Sequence, residues 1–134
     1  MSTPYSVKRG SSLWIPSGPP NDPNRGHLFI VLTDPSTNNN ILAVPVNSLT
    51  KRSDPTCKLG KGDHPRIHHA SFAAYYHTQI YSVSVLEDQV GKKIIHDTGI
   101  VDEKVFAQIC AGVEDSRECI PAHKAYYKKQ TAKS

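Results

Sequence analysis

The stretch His27–Val46, HLFIVLTDPSTNNNILAVPV, decides the fold. Its two ends are short apolar runs rich in β-branched residues, and its middle, DPSTNNN at 34–40, is turn chemistry. Runs of this length bounded by turn residues read as buried strands over His27–Thr33 and Ile41–Val46, and so short a connection makes them antiparallel. Pro45 marks a bend, a bulge or an edge in the second strand, because proline cannot donate to a ladder. Upstream, SSLWI at Ser11–Ile15 is a strand that Pro16 stops. The following segment, PSGPPNDPNRG at Pro16–Gly26, carries four prolines and is a loop, long enough to suggest function.

Downstream, Thr56–Leu59 is a short strand. Ser71–Tyr81 alternates, which places Phe72, Ala74, Tyr76, Thr78 and Ile80 toward the core and Ser71, Ala73, Tyr75, His77 and Gln79 outward. Gly91 and Gly99 punctuate the next stretch. Asp102 is an N-cap with Glu103 in the first turn, and Val105, Ile109 and Val113 line one face, so a helix spans 102–114. Strands followed by one good helix predict a mainly β chain with a C-terminal helix, a small curved sheet or barrel. The expected division is a flexible 1–10, one domain over 11–118, and a lysine-rich tail over 119–134 that either docks or is disordered.

A length of 134 residues suits one domain. The apolar runs are too short to span a bilayer and the N-terminus shows no signal segment, so the expectation is a cytoplasmic protein with no membrane partner. Three cysteines, Cys57, Cys110 and Cys119, form no disulfide framework and read as reduced thiols. The net charge of +4 is uneven: 1–85 holds eight basic and four acidic residues, 86–118 four basic and eight acidic, and 119–134 four lysines with no acid. A basic front half suits a face that meets polyanions, although four surplus charges alone also describe an ordinary solvated surface.

The densest chemistry lies in DHPRIHHASFAAYY at Asp63–Tyr76, which holds three of the seven histidines. Histidine titrates near neutrality and so serves as acid or base. His64 lies on the GDHP turn and is expected to project, while His68 and His69 point to opposite faces. Cys57, His64 and His68 are zinc-ligand types, but Pro65 denies them a helix and no CxxC is present, so no metal or other cofactor is expected. Cys57 and Ser71 lack the glycine elbow or helix N-terminus that would activate a nucleophile, and Cys110 sits on the buried helix face.

The order of elements resembles the PemK/MazF family of plasmid-maintenance toxins. GSSLW at Gly10–Trp14, GHLFIVL at Gly26–Leu32, LAVPVNS at Leu42–Ser48 and GIVDEKVFAQICAGV at Gly99–Val113 follow the family's opening strand, two core strands and terminal helix in the same order. The segment Thr56–Tyr75 resembles a G-D-H-P…S-x-x-x-Y variant of outlying PemK-like proteins. The resemblance implies an SH3-like barrel, a metal-independent endoribonuclease cutting single-stranded RNA, a homodimer, and a small antitoxin partner. It places the family's catalytic arginine on His27 and its catalytic threonine on Asn47, with Ser48 adjacent, so both principal positions differ here.

Metal-free RNA cleavage needs a base for the ribose 2′-OH, an acid for the leaving 5′-oxygen and a cation for the phosphoryl charge. The expected catalytic set is His27 with His64, then His69, with Ser48 beside them. Arg25, Lys51, Arg52 and Arg66 are the expected phosphate contacts, with Asn47, Ser71 and Tyr75 as hydrogen-bonding supports. The competing reading is a non-catalytic barrel that holds nucleic acid or a protein partner, such as a phage- or plasmid-borne regulator or inhibitor.

Overall fold

A computed structural model describes residues 4–16 and 25–132. Most of the proline-rich loop expected at 16–26 therefore lies outside the described residues, as does Lys133. Seven strands form one antiparallel sheet: β1 (Ser11–Pro16), β2 (Gly26–Val31), β3 (Asn40–Ser48), β4 (Lys58–Leu59), β5 (Ser71–Ala73), β6 (Gln79–Ser82) and β7 (His96–Ile100). The order is β4-β5-β3-β2-β1-β7, with β6 also on β3. Among the described residues there are also three α-helices: α1 (Val83–Gly91), α2 (Glu103–Asp115) and α3 (Pro121–Thr131).

The hairpin read from His27–Val46 is the centre of this sheet, with Leu28 opposite Val46 and Val31 opposite Ala43. Both strands are buried on both faces. Leu28, Ile30, Leu42, Val44 and Val46 face a core closed by α2 and α3. Phe29, Val31, Ile41 and Ala43 face a second core under α1, where Phe29 meets Tyr81 edge-on at 5.8 Å. Pro45 sits where the far edge of β3 passes from β6 to β5, and its carbonyl accepts from the Ala74 N–H at 2.9 Å. The missing proline donor thus falls at a break between partners, where no ladder bond is demanded.

The mainly β, barrel-like class holds, and Asp102 caps α2 by accepting from the N–H groups of Lys104 and Val105. Three parts differ from the sequence reading. Residues 4–10 are tied down: Val7 is buried, and its N–H donates to Glu87 Oε2 at 2.9 Å. The basic tail, expected either to dock or to be disordered, docks. It does so as a helix that was not expected, α3, with Pro121 in its first turn, where the missing N–H costs nothing.

The third difference is the expected strand 71–81, which breaks into β5, a 3-10 turn at Tyr75–His77 and β6. The predicted faces hold at Ala74 and Thr78, which are buried, and at His77 and Gln79, which are exposed, but not elsewhere. Ser71, Ala73 and Tyr75 are buried, whereas Tyr76 and Ile80 are 60% and 40% exposed.

Candidate active site

Three clefts meet where β2 begins and β3 ends. His27 lies one residue before Leu28, and Asn47 one residue after Val46, so the paired strands carry them to the same end of the ladder. By strand alternation both point to the side of Phe29 and Pro45. They line a cleft of about 340 Å³ together with His77, Gln79 and Tyr81. Asn47 also lines a cleft of about 310 Å³ with Ser48, Arg52, Asp54 and His77. A third cleft, of about 160 Å³, opens on the other face of the ladder among Trp14, Arg25, Ser48, Arg66 and His69, reaching Asn47 and His27 at its edge.

Burial, then the charges of Arg25 and His77, hold His27 below the usual histidine pKa. The neutral imidazole, able to take a proton, is therefore favoured near pH 7. His77 is exposed on its 3-10 turn, its ring edge-on to Tyr76 at 5.1 Å. Its place opposite His27 escaped the sequence reading, which set it on the outer face and gave it no role. The pairing of β5 and then β6 along β3, on either side of this turn, brings the two together.

The remaining candidates divide. His69 is exposed and shares a 2.7 Å hydrogen bond with Ser48 Oγ, so those two stand together as expected, on the opposite face from Asn47. Arg25 and Arg66 line their cleft, and Arg52 lines the one beside His77. Lys51 is exposed on the adjacent turn and lines none of these three clefts. Ser71 is buried, and its hydroxyl donates to the His69 carbonyl at 2.9 Å, so it shapes the loop.

Two expectations fail on burial. His64 does not project: it is 5% exposed. The Arg66 N–H donates to its Nδ1 at 3.0 Å, so the proton of the neutral ring is on Nε2, which donates to Ser12 Oγ at 2.9 Å. Ser12 passes its own proton to the Gly99 carbonyl at 2.7 Å and accepts from Thr98. Both ring nitrogens are used, and burial with the nearby Arg66 charge lowers the pKa, so this histidine is a neutral brace for the loop. Tyr75 has no exposed surface, and its hydroxyl donates to the Ile109 carbonyl at 2.5 Å, so it contacts the core and not a ligand.

Cys57 is fully buried with its thiol pushed up by burial, which leaves it inert as a nucleophile. Among the described residues no three metal-ligating side chains are grouped to hold an ion. None of the helices is long and apolar enough to cross a membrane, among the described residues.

This fold is the small β-barrel that the resemblance to PemK/MazF toxins implied. A crystal structure of MazE–MazF from Deinococcus radiodurans contains a chain that superposes with a TM-score of 0.53 at 14% identity, over 83% of this chain and 94% of that one. A second crystal form of the same complex gives 0.55 at 13% identity, over 83% and 95%. At such identity the likeness is one of fold. No family profile and no curated protein sequence matches the chain.

Proposed function

We propose that the chain is a toxin-type endoribonuclease that cuts single-stranded RNA in the cytoplasm without a metal. The observation that carries this reading is the meeting of His27, Asn47 and His77 at one cleft, beside the cations Arg25, Arg52 and Arg66. His27, held neutral, takes the proton of a ribose 2′-OH. The 2′-oxygen attacks the adjacent phosphorus, the bond to the 5′-oxygen breaks, and His77 gives that oxygen its proton. The products are a 2′,3′-cyclic phosphate and a 5′-hydroxyl end. A homodimer neutralised by a small antitoxin belongs to the same reading, supported by the shared fold.

Purified protein incubated with single-stranded RNA in excess EDTA should leave those two kinds of end. His27→Ala and His77→Ala should each lower the rate by about 10²–10⁴-fold, the usual worth of one acid–base partner. His69→Ala, on the other face of the ladder, should cost far less. RNA left intact across varied substrates would sink the proposal. Salt-sensitive binding without turnover would select the non-catalytic reading, which the replacement of the family's arginine and threonine by His27 and Asn47 favours.

A further inference from the structure

We infer that the smaller cleft, on the face of the ladder away from His77, is a phosphate seat that grips RNA beside the bond to be cut. Its size sets the ligand class. At about 160 Å³ it lies well below the roughly 300–1,000 Å³ of sites that enclose a whole small molecule, so it admits a compact group and not a nucleoside. Its charge sets the sign. Arg25 and Arg66 line it as permanent cations, and among the described residues no carboxylate does.

The cleft is also organised in advance. The Arg66 guanidinium lies 4.3 Å from the centre of the Trp14 ring, parked by a cation–π contact, and its backbone N–H is fixed by His64 Nδ1 at 3.0 Å. Ser48 and His69 hold each other at 2.7 Å on the opposite wall. Gly26 lets β2 run close under the indole: a Cβ there would stand 2.6 Å from the Ile15 carbonyl and 2.9 Å from Trp14 Nε1. Donors converging from separate walls suit a tetrahedral group with several acceptor oxygens. A strand held here and cut at His27 and His77 must wrap round the shared end of β2 and β3, because the two seats open on opposite faces.

The inference takes its RNA from the ribonuclease reading, but its test needs no turnover. Trp14 is the chain's one tryptophan and lines this cleft and a neighbouring one that contains Asp97, so its emission reports binding at this end of β1. Arg25→Ala, which touches the smaller cleft alone of the two, should weaken the response if the seat is there. Full-length protein is titrated with inorganic phosphate at constant ionic strength set by chloride. It is then titrated with a deoxyoligonucleotide, uncleavable for want of a 2′-OH, with and without a 5′-phosphate. Saturable changes in Trp14 emission with phosphate and with both strands are expected, and they assign the seat to an internal phosphodiester. A response to the 5′-phosphorylated strand alone also supports the seat and assigns it to a strand end.

Arg66→Ala should weaken binding of a labelled strand about tenfold, and lower the slope of log affinity against log salt by about one. His77→Ala should keep the Trp14 response while cleavage is lost, so the two ideas fail separately. Emission indifferent to phosphate and to both strands, or unchanged affinity in Arg66→Ala, overturns the inference.

Discussion

Tyr75 shows how one side chain can be misread by an otherwise sound rule. Strict alternation from Ser71 puts it outside, yet it is fully buried and bonds to the Ile109 carbonyl of α2. The alternation itself holds, since Ser71, Ala73 and Tyr75 are all buried, and the error lies in taking their face as the outer one. The alternation ends only after Tyr75, where Ala74 at φ −88°, ψ 78° leads into a 3-10 turn. No local sequence signal marks this turn, since neither glycine nor proline occurs in 71–81. The partner residue is Gly112, where an added Cβ would stand 2.7 Å from Tyr75 Cζ and closer still to its hydroxyl. Helix propensity favours alanine over glycine by about 1 kcal/mol, but overpacking a core costs about 1–3 kcal/mol. Gly112→Ala should therefore lower the urea midpoint, whereas the exposed Gly91→Ala, with open space around its Cβ, should not lower it through any clash.

The elements that were legible are those whose sequence states both pattern and boundary. β2 and β3 pair two buried apolar runs across a turn, and α2 shows its cap and its apolar face. β7 was missed because exposed residues on both faces give no periodic pattern, and four of its five residues are exposed. α1 had a readable signal, with Ser82 accepting from the Val85 N–H at its start and Val83 and Leu86 buried, but it is short. The loop 60–70 is the instructive case. Its histidines advertised catalysis, and His64 instead bolts the loop to β1 and β7 through Ser12.

That brace carries a pH dependence. Because His64 and His27 both have lowered pKa values in the fold, the unfolded chain binds protons more readily than the folded one just below pH 6.5. Their stabilisation is complete above that value and is lost as the pH falls through it toward the folded pKa values. Thermal melts should show a lower Tm at pH 5 than at pH 7.5. His64→Ala should cost about 1–3 kcal/mol at pH 7.5, and its deficit should narrow at pH 5.

At the scale of the molecule, early and late parts of the chain are fastened together. Arg9 Nη2 donates to Tyr127 Oη at 3.0 Å, and its guanidinium also lies over the Phe106 and Tyr127 rings. Tyr126 donates to the Asn40 carbonyl at 3.1 Å, and Thr78 Oγ1 meets His123 Nδ1 at 2.7 Å, just after the turn that carries His77. α3 was illegible as structure because its composition is that of a solvated basic segment. It folds through two tyrosines and a histidine, with no continuous apolar stripe. Tyr127→Ala should cost about 3 kcal/mol in chemical denaturation, as for other buried aromatics. Lys129→Ala, on an exposed position of the same helix, should stay within about 0.5 kcal/mol.

The fastening of α3 to Arg9 has a consequence for synthesis. A ribosome releases residues in order at about 5–20 per second. The core side of β2 and β3 therefore waits for Cys119 and Tyr127, which close it, until after all seven described strands have emerged. The nascent chain passes through a stage in which the site's histidines exist but the turn beneath His77 has no helix to lean on. Formation of α3, and not of the sheet alone, is therefore the step that closes this core.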